Sequence, residues 1–434
     1  MNLSRPGDVA PGASATLIDA IVTGRAPDGL DLKVFVPLSP GDDTERPITV
    51  DQTNVSVIVG ERAVVKWMRT PGNARAPRLL AHLAATGFTR MPTPHAAAFR
   101  DGDLVALVTA FLPDAEDGWD WCTNALLSWL DGGPPADFAP ILGTLAADLH
   151  AALATFTPDP ISPPHPPSAP SFPTPQPQPL PTPHAQPLPH PQPSPLPHRQ
   201  AHPSLTPVPG QTKPRLSPPP DLSAEAAEAA AATAAAAAEA TTEAEATTAE
   251  ATPATAAATI AEAMACAGDD ADGAWVRSIQ SRIESDISLI SGYSSPAPAL
   301  HLHGDLHVGQ VLRWRDGYAV TDFDGNPTVE PRPEPVARDL AQLRTSVLHV
   351  AEIANRRTEG RHRETLLDWG RRAADDLLAA YRDTLAAHGL PHLLDERLLR
   401  PFEVEQECRE LIYAARFLPR WRYAPLGVLR SWYG

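Results

Sequence analysis

Apolar and polar positions alternate over two short runs near the start of the chain, Val55-Ser-Val-Ile-Val59 and Ala63-Val-Val-Lys-Trp-Met68, with Gly60-Glu61 between them. β-branched runs of this length around a glycine turn predict a hairpin. Leu104 to Leu112 predicts a last strand and the connection out of a β-rich lobe covering residues 1–111. A second hairpin is predicted from Val311–Arg315 and Tyr318–Phe323, joined by Asp316-Gly317. Pairing through that turn sets Val311 opposite Asp322 and leaves Gln310 one residue from Asp322 across the ladder. Elsewhere the period becomes helical: around Leu145–His150, as one helix over Trp275–Ile290, and from Arg400 to Leu418. In that last segment Val404, Cys408, Leu411 and Ala415 form an apolar stripe. Gln406, Glu410 and Tyr413, at i, i+4 and i+7, form the opposite one. The pattern predicts an α+β fold with a β-rich N-terminal lobe and a mostly helical C-terminal lobe over 112–434, opened by Asp117-Gly-Trp119.

Two blocks break the pattern. About half of the 51 prolines lie between Pro158 and Pro220, in Pro-Gln-Pro, Pro-Leu-Pro and Pro-His-Pro repeats that favour polyproline II and disorder. The histidines there, His165, His184, His190, His198 and His202, read as linker residues, since no second ligand type accompanies them. Residues 222–267 are Ala/Glu/Thr-rich and predict a solvated helix interrupted near Pro253, because few large apolar side chains are available to bury. Residues 158–221 and 222–267 therefore read as a Pro-rich and a helical insertion within one globular unit.

Composition narrows the function classes. A formal charge of −17 argues against general nucleic-acid binding, which needs a basic face. No apolar run is long enough to span a membrane, and the first residues lack the apolar core of a signal peptide. The three cysteines, Cys122, Cys266 and Cys408, are far apart and form no disulfide or metal framework. The expectation is a cytoplasmic protein.

The chemistry lies in His301-Leu-His-Gly-Asp-Leu-His-Val-Gly-Gln310 and Val320-Thr-Asp-Phe-Asp-Gly325. An acid, an amide and a second acid stand there at the spacing that phosphoryl transfer to a hydroxyl requires. The offsets match the protein-kinase pattern H-R-D-x-x-x-x-N followed by D-F-G. On this reading Asp305 accepts the hydroxyl proton, Gln310 and Asp322 bind Mg²⁺ against the phosphates of ATP, and Asp324 contacts a second metal. An ideal pleat would point Gln310 and Asp322 to opposite faces. For both to reach one ion, Gln310 must precede the ladder. His303 and His307 brace the loop, Asp339 braces or caps it, and Asp148 and His150 are structural. Lys66, alone in an apolar strand, either faces solvent or meets nucleotide phosphates, because burying it unpaired is costly. Gln52, Thr53, Asn54 and Ser56 supply polar contacts over the phosphates in the absence of a Gly-rich loop.

These segments resemble the bacterial maltokinase and glucosamine-kinase group within the aminoglycoside-phosphotransferase-like kinases. The matching residues are His303–Leu312, Asp322–Pro327, Arg338-Asp-Leu-Ala341, Asp51–Ser56, Val64-Val-Lys66, Asp117-Gly-Trp119 and Glu403–Tyr413. The resemblance runs over most of residues 45–155 and 295–425. It implies a bilobal protein-kinase-like fold with ATP and Mg²⁺, and a nucleotide-contacting role for Lys66. The family usually pairs this lysine with a helix glutamate, yet Arg75-Ala-Pro-Arg-Leu-Leu-Ala-His82 carries no acid.

Gln406, Glu410 and Tyr413, with Trp421 shortly after, resemble a sugar-binding wall, although polar stripes are also the rule on surface helices. Maltokinase-like sequences tend to carry Glu-Lys-Ala where this chain reads Glu405-Gln-Glu407. Losing a cation and gaining an acid favours a positively charged acceptor. The resemblance thus points to glucosamine, phosphorylated at the 6-hydroxyl, with Glu410 or Glu407 meeting its ammonium group. Maltokinase, aminoglycoside phosphotransferase and a nucleotide-binding pseudokinase remain alternatives. A metal-dependent hydrolase built on Gly-Asp-x-His would need further ligands at a fixed offset, which the sequence does not supply.

Overall fold

Six antiparallel strands form the N-terminal sheet: β1 (Asp31–Val34), β2 (Glu45–Ile48), β3 (Val55–Val59), β4 (Ala63–Gly72), β5 (Pro94–Arg100) and β6 (Asp103–Ala110), in the order β1-β5-β6-β4-β3-β2. The computed structural model describes residues 9–48, 54–72, 74–157, 253–290, 293–326 and 332–434, which belong to one compact unit. The Pro-rich block, residues 222–252, Gln52 and Thr53 lie outside the described residues.

The sheet is buried on both faces, and the pleat sorts its side chains. Ala63, Val65 and Trp67 of β4 point to one face, where helix α1 (Ala13–Thr23) inserts Leu17, Ile18 and Ile21. Trp67 Nε1 donates to Ser14 Oγ at 2.9 Å and anchors that helix. Lys66 therefore points to the other face. Ser56 of β3 and Leu107 of β6 stand opposite it in register. Helix α2 (Arg75–Ala85) covers that side with Leu79, Leu80 and Leu83.

The rest is mostly helical: α3 (Gly118–Leu130), α4 (Ala139–Leu153), α5 (Pro253–Cys266), α6 (Ala271–Ser278), α7 (Gln280–Ile287), α8 (Ala337–Arg357), α9 (Arg363–Ala387), α10 (Leu399–Arg416) and α11 (Tyr423–Tyr433). Helix α8 packs against α3, α9, α10 and α11, so residues along it reach the site from behind. No described helix is long and apolar enough to cross a membrane.

Several expectations are corrected. The segment expected as one helix over 275–290 is two, broken at Ile279 and followed by a 3₁₀ turn. The described end of the Ala/Glu-rich block is packed rather than solvated. Ile260 and Met264, at i and i+4, are buried with Ala256 and Ala263, and α5 lies on α10. Small alanines let the helices approach closely, so two large apolar residues suffice. Ala415 is exposed and Ala414 is buried instead, because α10 is covered on more than one side.

The second hairpin also differs in register. After the two-residue strand β7 (Ala299–Leu300), strands β8 (Val311–Trp314) and β9 (Gly317–Val320) pair Val311 with Val320 and Trp314 with Gly317. The turn residues are Arg315-Asp316, not Asp316-Gly317. Gly317 opens the return strand at φ 131, a conformation other residues rarely adopt. Asp322 is thus beyond the ladder rather than opposite Val311.

Candidate active site

The loop carrying Asp305 is fixed by buried hydrogen bonds rather than by strand pairing. Asp339, in the first turn of α8 and fully buried, accepts from the His303 and Gly304 amides, both at 2.9 Å. His150 Nε2 approaches the same carboxylate at 3.3 Å, and the Tyr381 hydroxyl meets His150 Nδ1 at 2.7 Å. Burial works against the Asp339 carboxylate, but His150 and the amides hold its pKa below the usual value. His303 bridges to the next segment: Nε2 meets the Thr321 carbonyl at 2.9 Å, and Nδ1 accepts from the Asp305 amide at 3.3 Å. That pattern requires a neutral ring protonated at Nε2, and burial lowers its pKa accordingly. His303, Asp339 and His150 therefore occupy bracing positions.

Two residues not singled out in the sequence complete this frame. Arg75, at the start of α2, donates to the carbonyls of Phe323 at 2.7 Å and His303 at 3.0 Å, and to that of Leu302. The helix that lacks a glutamate thus contributes a guanidinium that ties together the two catalytic segments. Gln342, one turn after Asp339, donates from Nε2 to Asp305 Oδ1 at 2.7 Å. The turn Arg338-Asp-Leu-Ala-Gln342 carried that signal: residues three apart on a helix share a face. Asp305 Oδ2 lies 3.9 Å from His307 Nε2. His307 Nδ1 accepts from the Gly309 amide at 3.0 Å, and its ring stacks on Trp119 at 5.5 Å. Trp119 is positioned by the close approach of Gly118 to the Val308 carbonyl, where a Cβ would stand 1.6 Å from the oxygen.

Lys66 does find acidic partners. Its ammonium donates to Asp322 Oδ1 at 2.7 Å and Asp324 Oδ2 at 2.8 Å. Burial pulls the Lys66 pKa down, but the two carboxylates more than offset it and hold it above its ordinary value. Burial likewise raises Asp322, and Lys66 brings it below its usual value. Asp322 has φ 60, a left-handed turn just beyond the ladder, and Asp322 and Asp324, either side of Phe323, meet one cation. Gln310 closes a 3₁₀ turn ahead of β8, and its carbonyl accepts from the Thr321 amide at 2.9 Å. Gln310 is thus one residue from Asp322 and outside the ladder.

Two carboxylates converging on one cationic point are hard oxygen donors of the kind Mg²⁺ takes. Among the described residues no group of three or more His, Cys, Asp or Glu side chains is arranged to hold a metal alone. Mg²⁺ commonly keeps water and phosphate ligands beside one or two carboxylates, so the donor set fits. Ser56 faces Lys66 across the sheet. Asn54 is buried, and its Oδ1 is 3.4 Å from the Arg69 amide.

The residues expected at the acceptor side lie on α10 and the turn after it. Gln406 Nε2 donates to Glu410 Oε1 at 3.0 Å, and Trp421 Nε1 donates to Glu410 Oε2 at 2.8 Å. The Trp421 ring packs edge-on to Trp119 at 5.4 Å, which links this wall to His307 and Asp305. The structure does not bring every expected residue there. Glu407 points the other way, is fully buried, and pairs with His349 of α8 at 3.0 Å. Adjacent helix residues are turned about 100° from one another, so Glu407 lies behind the wall that Gln406 faces. Tyr413 is 46% exposed, and its ring packs on Phe417.

No family model matches the chain. It is 32% identical to a glucosamine kinase of Streptacidiphilus jiangxiensis over 442 aligned positions, covering 97% of this chain and 80% of that protein. It is also 32% identical to a glucosamine kinase of Mycolicibacterium smegmatis, covering 98% and 88%. The chain belongs to the glucosamine kinase family. Among solved structures, a glucosamine kinase in complex with glucosamine, ADP and inorganic phosphate superposes with a TM-score of 0.67 at 29% identity, covering 99% of this chain and 84% of that one. A second glucosamine kinase structure gives 0.67 at 29% identity, covering 99% and 83%. The kinship spans the sheet that carries Lys66, the loop that carries Asp305 and the helix that carries Glu410.

Proposed function

We propose that this glucosamine-kinase family member is a bilobal, protein-kinase-like enzyme that transfers the γ-phosphate of ATP to glucosamine, at the primary 6-hydroxyl. Its lobes meet near residue 111, and residues 158–221 are an insertion. The observation that carries the choice of acceptor is Glu410. Its two oxygens accept from an amide and an indole, both neutral, so its negative charge is left for a ligand. An ammonium sugar supplies the missing cation, and a hydrogen bond to a charged group is worth about 1.5–3 kcal/mol.

In the proposed mechanism Asp305 is the general base. Gln342 holds Oδ1, which fixes the carboxylate plane and leaves Oδ2 for the acceptor hydroxyl. Gln310, Asp322 and Asp324 would hold Mg²⁺, which when bound offsets the charge of the phosphates. Lys66 leaves the two carboxylates for the nucleotide phosphates, exchanging one set of oxyanions for another. Trp421 and Trp119 give the sugar an apolar wall, and Gln406 and Glu410 its polar contacts.

A coupled ADP-release assay across glucosamine, glucose, N-acetylglucosamine, maltose and kanamycin tests the reading. Glucosamine is expected to lead, with N-acetylglucosamine poor because acetylation removes the charge and adds bulk. Maltose as the best acceptor would move the chain to the maltokinases.

A further inference from the structure

Behind the acceptor wall lies a charged pair with no role in the chemistry above. His349 of α8 and Glu407 of α10 meet at 3.0 Å, and Glu407 is completely buried. The second carboxylate oxygen, Oε1, is buried without a hydrogen-bond partner. The His349 ring stands 5.4 Å from Trp421 and 6.4 Å from Trp119, and those two indoles stand 5.4 Å from each other. His349 is therefore the only imidazole among the described residues whose ring touches both.

We propose that His349 and Glu407 are a positioning pair for the acceptor. By holding or releasing a second proton they set the seat of Trp119 and Trp421 and the charge behind Glu410, and so tune how tightly an ammonium sugar binds. The inference rests on the glucosamine reading above.

Three observations support it. A buried carboxylate oxygen without a donor is expensive unless it carries a proton. Burial pushes the Glu407 carboxyl up to about 7 despite His349. Burial also pulls His349 down, but Glu407 outweighs it and holds the imidazole above its ordinary value. One proton therefore bridges the pair near neutrality, and a second enters as pH falls below about 7. The other charged groups facing the pair are Glu403 and Glu410 of α10 and Glu352 of α8. Arg344 of α8 pairs with Glu403 at 3.1 Å and lies 3.7 Å from Asp375 of α9, and Arg430 of α11 faces Glu352. Across Trp119 stands His307. None of these touches Glu407 Oε1. The second proton gives the pair a net positive charge beside Glu410, which opposes an ammonium ligand.

The test measures KM for glucosamine, KM for ATP and kcat from pH 6 to 8 in the wild type and in Glu407→Gln, which keeps a hydrogen-bonding side chain but cannot ionise. Titration of the sugar's own amine is common to both proteins and cancels in their ratio. In the wild type, KM for glucosamine rises as pH falls through about 7. In the variant the KM for glucosamine at pH 8 stays within about twofold of the wild type, because without Glu407 burial keeps His349 neutral, and its pH profile flattens. The KM for ATP is expected to stay within twofold in both. His349→Gln, with a thermal melt for each variant, guards against a general loss of packing. Parallel pH profiles, or equal effects on kcat and on the KM for ATP, overturn the proposal. A wild-type enzyme without turnover of glucosamine overturns the underlying reading as well.

Discussion

On the side we assign to the nucleotide, the charges of Lys66, Asp322 and Asp324 are 20%, 45% and 36% exposed. On the acceptor side, the carboxylates that seat α10 are buried: Glu405 is 2% exposed against Arg338, and Glu407 is 0% exposed against His349. On our reading the first set is a provisional arrangement, in which a lysine neutralises two acids that a metal and phosphates can take over. Exposed partners make such an exchange inexpensive, because water screens the charges while they part. The second set is permanent. Removing one partner of a buried pair leaves a charge without solvent, at a cost of several kcal/mol. One wall of the site is thus built to rearrange and the other to stay rigid.

Replacing the base should have the largest effect, and it cuts across both sides. Asp305→Asn keeps the Gln342 contact in size but cannot take a proton, so kcat should fall by about 10³-fold or more while nucleotide binding persists. Isothermal titration with Mg-ADP and the coupled assay separate the two. Near-normal turnover would remove Asp305 from the chemistry.

Asp322→Asn sharpens the contrast from the exchangeable side. It removes one of the two acids that hold Lys66 and, on our reading, a metal ligand. KM for Mg-ATP should rise roughly ten- to a hundredfold while KM for the sugar changes little. Because the group is exposed, the melting temperature should move by no more than a few degrees. A variant that melts far lower would show that this side is structural.

Acid pH probes the rigid side. Burial raises the Glu405 carboxyl, but Arg338 and Arg409 hold it at about 2. Its folded pKa lies below its unfolded one, so its contribution to stability is present above about pH 4.5 and lost as pH falls towards 2. At neutral pH that contribution is of order 3 kcal/mol. Thermal melts between pH 7 and 3 should drop more steeply in the wild type than in Glu405→Gln. That variant should start lower at pH 7, since it leaves two guanidiniums without their shared partner. Equal slopes would mean that the pair does not anchor α10.

The exchangeable side was the more legible in sequence, for a physical reason. Asp305, Gln310, Asp322 and Asp324 lie within twenty residues of one another, on a loop and hairpin whose spacing fixes their geometry. Even there the turn was misplaced by one residue, because Asp-Gly can supply either the two central positions of a turn or its last ones. Lys66 was visible as an anomaly, but its partners come from more than 250 residues away, and no local pattern encodes that. The rigid side showed only a stripe. Periodicity placed Gln406 and Glu410 together, yet it could not tell that Glu407 turns inward, because its partner His349 sits on another helix amid an unremarkable apolar run. Arg75 and Gln342 escaped notice for the same reason: each acts on a loop far from it in sequence.

Glu410→Gln is expected to have the smallest effect and decides what the rigid wall is for. The amide can still accept from Trp421 or Gln406, so the wall should keep its shape and the melting temperature should stay within a few degrees. What disappears is a carboxylate whose two bonds both come from neutral donors. If that charge selects the acceptor, the ratio of kcat/KM for glucosamine to that for glucose should fall by about tenfold, at the low end of what a charge-assisted hydrogen bond supplies. The KM for ATP should not change, because the lost charge lies across the site from Lys66. A ratio that survives the substitution would assign the choice of acceptor to shape alone, and the distinction between a chargeable nucleotide side and a charge-selective acceptor side would fall with it.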